Sequence, residues 1–278
     1  MPGGSARSLQ LVQSTVDFGL SGKGALVTGS SRGLGKAIAA ALASEGAAVA
    51  LAARDPEALE AAALEIRGRS SADVWFQPAD VTREEDVSSL VDSAIARFGR
   101  VDVLVANAGG PPASRFETTE LADWKKGIDL SLLSTILLCR AVVPGMKGRR
   151  SGRIVAVTSI SVKQPVDGLI LSNTARAGVV GLMKTLSNEL GPFGIGVNVV
   201  CPGYTRTDRL VDLAARMSRQ EGVDRESIYA RWTSQIPLGR LGEPEEFASV
   251  VAFLCSDRAS YVTGTCLQVE GGIVKGVF

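Results

Sequence analysis

From residue 24 onward, short apolar runs alternate with longer stretches of helical period. Ala25-Leu26-Val27 is apolar at every position, as a strand covered on both faces requires, and Gly33 to Ser44 follows with helical composition. Ala47 to Ala52 is strand-like again, and Pro56 to Gly68 is alanine- and leucine-rich with helical spacing. Val74 to Pro78 reads as a third strand, and Glu84 to Phe98 as a third helix with Thr82 as N-cap before Glu85. Val101 to Ala106, Arg153 to Val157, Gly196 to Val200 and Thr265 to Val269 supply further strands. Strands alternating with helices predict right-handed crossovers and an α/β fold with a doubly wound parallel sheet. No linker or charge block divides the chain, so residues 21–278 read as one domain after an N-terminal extension over 1–20. The less regular segment 204–235 reads as a small helical substrate lobe or lid within it.

Composition narrows the chemistry. The 278 residues are 45% apolar and 21% charged, with a net charge of +1, which speaks against nucleic acid as a partner. Histidine is absent, which removes Ser-His-Asp triads, Cys-His pairs and imidazole zinc sites. Cys139, Cys201, Cys255 and Cys266 have neither metal-ligand spacing nor the look of a disulfide framework, so no metal is expected. Their apolar surroundings suit buried or half-buried thiols in a reducing cytoplasm. The N-terminus has no apolar stretch of signal type, and no uninterrupted apolar segment reaches membrane-spanning length, so no membrane is expected.

Thr28-Gly29-Ser30-Ser31-Arg32-Gly33-Leu34-Gly35 follows a predicted strand and opens a predicted helix. Gly29 permits a tight turn, Gly33 lets a pyrophosphate approach the backbone, and Gly35 lets helix and strand pack closely. The helix N-terminus adds free N–H groups for phosphate. This turn resembles the T-G-x-x-x-G-x-G fingerprint of the short-chain dehydrogenase/reductase superfamily, and with it the Rossmann type of doubly wound sheet. The likeness runs along nearly the whole chain and is greatest to 3-oxoacyl-acyl-carrier-protein reductases. Asp80-Val81 resembles the adenine-contacting pair, and Asn107-Ala108-Gly109 the N-A-G motif beside the ribose. Pro202-Gly203, with Thr205 and Thr207, resembles the nicotinamide-pocket motif. The resemblance thus implies cofactor contacts at Gly29, Ser31, Arg32, Gly33, Leu34, Gly35 and at these later positions. Ala53 stands where an NAD-binding carboxylate would fall, while Arg54 and Arg32 offer two forks for a 2′-phosphate. NADP(H) is therefore expected in preference to NAD(H).

The family's redox members share an Asn, Ser, Tyr and Lys tetrad, the last two written Y-x-x-x-K. Here those positions hold Ser131, Ser159, Ser172 and Arg176. Misalignment does not explain this, because Tyr204, Tyr229 and Tyr261 are followed four residues later by Asp208, Thr233 and Thr265. Ser172 and Arg176 still share a helix face, and Arg176 keeps a charge able to hold ribose hydroxyls. A guanidinium does not relay protons, however, and serine is a far weaker acid than a phenol. Three readings stay open: an oxidoreductase of a carbonyl/hydroxyl pair with an atypical donor, for which Tyr204 and Lys163 are the nearest alternatives; a non-redox enzyme; or a nucleotide- or partner-binding protein without turnover. The implied substrate is a small-molecule or acyl-carrier-bound carbonyl compound. Arg206, Arg209, Arg216 and Arg219 lie among acids in the lobe and read as a solvated mixed-charge helix. The resemblance also implies a homotetramer or homodimer, with Ala175, Ala177, Gly178 and Gly181 and the tail 273–278 as candidate packing surfaces.

Overall fold

The computed structural model describes residues 17–277. Its strands are β1 (Gly24–Thr28), β2 (Ala48–Ala53), β3 (Val74–Pro78), β4 (Val103–Ala106), β5 (Gly152–Val157), β6 (Ile195–Pro202) and β7 (Cys266–Val269). They form one parallel sheet in the order β3-β2-β1-β4-β5-β6-β7. Along β1, Ala25 and Val27 face one apolar cluster and Leu26 faces another, which is why the strand reads as unbroken apolar sequence. Helices α1 (Gly33–Ser44) and α2 (Pro56–Arg67) cover the first face. Helix α3 (Glu84–Phe98) covers the second.

After β4 the chain runs through α4 (Leu121–Ile128), a wider turn of π type at Asp129–Leu133, and α5 (Ser134–Arg149). This run meets the length and mean hydropathy of a membrane-crossing helix, although charged residues such as Asp129 and Arg140 interrupt it. Leu138, Val142 and Met146 are nevertheless buried against the second face, which makes α5 a core helix. Helix α6 (Ile170–Leu190) follows on that face, and α9 (Pro244–Cys255) closes the other beside α1. Between them, α7 (Asp208–Glu221) and α8 (Arg225–Thr233) build the lobe around Leu210, Ala214, Ile228 and Trp232.

Several local expectations are corrected. Thr82 does not cap α3; its amide and hydroxyl donate to Asp80 at 3.0 and 2.7 Å, and Arg83 occupies the cap without a side-chain bond. Packing reaches upstream of residue 21, since Leu20 is buried and Phe18 lies against the first core. Of the small residues on α6, Ala175 is buried and Gly178 faces Leu132 of the same chain, which leaves Ala177 and Gly181 outward. Ile273 of the tail packs on the chain's own lobe, and Phe278 lies outside the described residues.

The start of β4 is tied to β1 by a buried acid. Asp102 accepts from the Gly24 amide at 3.0 Å and pairs with Arg100 at 2.9 Å. The Asp102 side chain is 7% exposed and that of Arg100 is 44% exposed, so the amide bond carries more of the energy than the ion pair. Asp102→Ala should lower urea-unfolding stability by about 2 kcal/mol. Arg100→Ala should cost under about 1 kcal/mol in the same measurement.

Candidate active site

The chain runs outward from β1 to β3 and then returns to lay β4 beside β1, so a crevice opens at the carboxyl ends of those two strands. Two residues hold its rims together. The Thr28 hydroxyl donates to the Asn107 carbonyl at 2.7 Å and accepts from the Asn107 amide at 3.0 Å. The Asn107 side-chain amide donates to the carbonyls of Thr28 and Gly29, both at 3.1 Å. Gly29 has φ +58°, and a Cβ there would lie 2.8 Å from the Asn107 carbonyl, so only glycine fits. A Cβ on Gly35 would meet the Gly29 carbonyl, which is the close helix–strand contact expected of it.

Gly33, at φ +56°, is different: a Cβ there would meet only Thr207, at 3.6 Å. This open turn lies between the first amides of α1 and the start of α7. Ser31 and Leu34 are half-buried along it, and Arg32 is exposed at the cap of α1 with no side-chain partner among the described residues. Sequence reading missed Ser30, which is buried and pins the turn to β2. Its hydroxyl donates to Val27 at 2.8 Å and accepts from the Ala52 amide at 3.0 Å.

At the end of β2, Ala53 pairs with Pro78 and Arg54 is exposed. The next acid, Asp55, is occupied as the cap of α2, accepting from Glu57 and Ala58 at 3.1 Å each. Burial opposes ionisation of Asp80, but hydrogen bonds from Thr82 and the charges of Arg54 and Arg83 outweigh it, holding the carboxyl below its usual range. Val81 packs partly into the second core. Beyond β6, Pro202 and Gly203 lead to Thr205, which is buried and bridges to Gly242.

Around the tetrad positions, Ser131, Arg176 and Asn107-Ala108-Gly109 line one narrow cleft, whose lining does not include Ser159 or Ser172. Ser131 sits in the π turn, its hydroxyl buried without a partner. Arg176 reaches from α6 to the end of β5, where its Nη1 donates to the Thr158 carbonyl, while its Nε is buried and unpartnered. Ser172 is buried one turn earlier on α6, and the Ser159 hydroxyl accepts from the Ser161 amide at 3.1 Å. Burial and the nearby Arg209 guanidinium push Arg176 down to about 10, so it remains a cation at neutral pH.

The two alternative donors are not brought to that cleft. Tyr204 stacks on Trp232, with ring centroids 5.1 Å apart, and faces a second cavity with Arg240 and Glu270. Burial raises its pKa, which makes it a weaker acid than free tyrosine. Lys163 is half-buried and acts on the thiols of Cys201 and Cys266, whose sulfurs are 3.3 Å apart. A hydrogen bond from Cys201 draws Cys266 down to about 7 against the effect of burial, and Lys163 adds to it. Among the described residues, no three His, Cys, Asp or Glu side chains converge as metal ligands.

Arg176 has a stability consequence. Its folded pKa lies below the unfolded value, so its charge opposes folding at every pH below about 10. Arg176→Met should therefore raise the urea-unfolding stability of the ligand-free chain at neutral pH by at least about 1 kcal/mol. A variant less stable than the parent would contradict this.

Comparison with known proteins agrees with this geometry. Residues 29–274 match a family model described as enoyl-(acyl carrier protein) reductase. A 3-oxoacyl-[acyl-carrier-protein] reductase of Aquifex aeolicus is 35% identical, the alignment covering 93% of this chain and all of that protein. Its counterpart in Synechocystis is 37% identical over 90% of this chain and 96% of that one. The crystal structure of L-sorbose reductase from Gluconobacter frateurii, complexed with NADPH and L-sorbose, superposes with a TM-score of 0.91. It is 33% identical, covering 94% of this chain and all of that one. An actinorhodin polyketide ketoreductase with NADPH superposes at 0.88, at 34% identity over 91% and 98% of the two chains. The chain belongs to the short-chain dehydrogenase/reductase family of oxidoreductases, and its relatives include 3-oxoacyl-acyl-carrier-protein reductases.

Proposed function

We propose that the chain is an NADP(H)-dependent oxidoreductase interconverting a carbonyl and a hydroxyl group with an atypical proton donor. One observation supports the cofactor preference above others. The rim at the end of β2 presents Arg32 and Arg54 without side-chain hydrogen bonds or ion pairs among the described residues; Asp55 beside them is committed to a helix cap, and Asp80 feels Arg54 only through space. Two guanidinium forks favour a 2′-phosphate over a bare ribose hydroxyl. The cradle at Gly33 and the free first amides of α1 suit the pyrophosphate, with Thr207 opposite. Asp80 and Val81 would lie along the adenine, Asn107, Ala108 and Gly109 along its ribose, and Pro202, Gly203 and Thr205 along the nicotinamide.

A bound nicotinamide supplies or accepts the hydride. In this reading Arg176 holds a fixed positive charge and ribose hydroxyls, while Ser131, Ser159 and Ser172 offer hydroxyls around the reacting group. Of the tetrad hydroxyls only that of Ser131 belongs to a residue lining the cleft with Arg176, and Tyr204 and Lys163 lie outside it, so the proton comes from a serine at the tetrad positions or from water. The relatives' names support a small-molecule or acyl-carrier-bound carbonyl substrate, with 204–235 as its lobe. The free cysteines suit the cytoplasm.

NADPH should bind at least about tenfold tighter than NADH by fluorescence titration, and Arg54→Ala should erase much of that gap, since a charge-assisted bond is worth about 1.5–3 kcal/mol. Ser172→Tyr with Arg176→Lys should raise NADPH oxidation with oxoacyl substrates by about 10²-fold or more, the scale of positioned acid catalysis. Tighter NADH binding, or a silent double variant, would count against the reading.

Assembly into a homodimer or homotetramer belongs to the same proposal. Phe116 and Leu121 are 70% and 83% exposed beside α4, and Ala177 and Gly181 leave α6 open to close approach. Light scattering should give a multiple of the 29.0 kDa chain mass at micromolar concentration; a monomer would overturn this.

A further inference from the structure

Two thiols that the proposed reaction does not use lie side by side in the sheet. Cys201 of β6 and Cys266 of β7 both pack on the second core, with their sulfurs 3.3 Å apart. The register sets Cys266 beside Val199 and Cys201 beside Gln268, so the two are diagonal neighbours on adjacent parallel strands. Cys201 is fully buried, whereas Cys266 is half-buried on the edge strand, within reach of a small oxidant. A hydrogen bond from Cys201 and the charge of Lys163 favour the Cys266 thiolate, the form that reacts with peroxides. The remaining cysteines, Cys139 and Cys255, are buried in apolar surroundings that push each thiol up to about 12. One accessible thiol with a second in contact to resolve it is the arrangement of a redox-sensing pair.

We propose that Cys266 and Cys201 form a reversible redox pair, which a hydroperoxide closes into a disulfide joining β7 to β6. The Cys266 thiolate attacks one peroxide oxygen: an S–O bond forms, the O–O bond breaks, and hydroxide leaves. Cys201 then attacks the sulfur of the resulting sulfenic acid: the S–S bond forms, the S–O bond breaks, and the departing hydroxide takes the Cys201 proton. The peroxide gains the two electrons that the thiols lose, and with hydrogen peroxide both its oxygens end as water. The sulfurs must approach by about 1.3 Å to bond, and a diagonal pair does so only by drawing in the short edge strand. A disulfide closed under that strain is readily reduced, as a transient bond in a reducing compartment must be. The movement has two routes to the cofactor, on the reading that Gly203 and Arg176 contact it. Val269, at the end of β7, accepts from the Gly203 amide at 3.0 Å. Thr158, whose hydroxyl lies 3.2 Å from Cys201, holds Arg176 through its carbonyl. Closing the disulfide therefore weakens NADPH binding.

The test treats the reduced chain with hydrogen peroxide, counts free thiols in denaturant, and maps linked peptides by mass spectrometry without reductant. The count should fall from four to two per chain, with Cys201 joined to Cys266 of the same chain, and dithiothreitol should restore all four. In Cys201→Ala, checked for folding by circular dichroism, the bond should not form and dimedone should label Cys266 as the sulfenic acid. The oxidised parent should bind NADPH at least about tenfold more weakly than the reduced parent by fluorescence titration, a ratio worth about 1.4 kcal/mol. Peroxide should leave the NADPH affinity of Cys266→Ser unchanged. A count that stays at four, or a link to another cysteine or another chain in place of this one, overturns the pair. A disulfide that leaves NADPH affinity unchanged overturns its coupling to the site. If the reduced chain binds no NADPH, the proposed function fails, while the thiol count and peptide map still decide the disulfide.

Discussion

The exchange of hydrogen bonds between Thr28 and Asn107 is the interaction on which the site depends. A parallel sheet that winds both ways must bring β4 back beside β1, and the loops leaving those strands diverge to opposite faces. Left unpinned, the crevice would vary in width. Thr28 and Asn107 give and take bonds across it, and the Asn107 amide reaches the Thr28 and Gly29 carbonyls. The demand for glycine at 29 follows, because a side chain there would occupy the space Asn107 needs. With the rim fixed, the free amides of α1 point at one place, and Ser30 locks the same turn to β2.

Arg176 is held by a second constraint, from the far side of the crevice. Its helix position keeps it four residues from Ser172 on one face, the geometry a Tyr-Lys pair would have. Its longer fork reaches the Thr158 carbonyl, whose residue in turn places its hydroxyl 3.2 Å from Cys201. A guanidinium is more weakly hydrated than an ammonium and survives such burial with its charge intact. The cost is an orphaned Nε and a neighbouring orphaned serine hydroxyl, both in the cleft. Unsatisfied polar groups of this kind are rare in well-packed interiors, and two of the four among the described residues belong to this cleft's lining, the others being the hydroxyls of Ser114 and Ser161.

The fold was legible because buried parallel strands leave so plain a trace: Val74–Pro78 and Glu84–Phe98 have the bounds the apolar pattern implies. Local chemistry was less so. Thr82 has the residue type of a cap, but Asp80 captured its hydroxyl, a competition spacing does not reveal. The π turn carrying Ser131 has no sequence signal, since its residues are ordinary helix formers with one serine. Gly178 read as an outward contact, and only the packing of α6 on the π turn shows Leu132 opposite it. Arg209 was hidden among charges of both signs; α7 is largely a solvated mixed-charge helix, as its pattern implies, but its first turn passes over Gly110. The departed tetrad needed no structure, because a chain with three tyrosines can be checked one by one.

Those three tyrosines also show what kind of catalysis remains on the proposed reading. The phenol nearest the site, Tyr204, is spent on stacking with Trp232 inside the lobe, and its desolvation makes it hold its proton more tightly. Tyr261 is fully exposed, and Tyr229 meets Trp232 edge-on. No acid of tuned strength therefore faces the cleft, while a cation that keeps its charge to about pH 10 does. An oxyanion developing there would be stabilised by a fixed charge in a medium of low dielectric, a contribution that requires no proton transfer at the moment of reaction. Such a site depends less on the acidity of one residue than on how completely water and counter-ions are kept from Arg176.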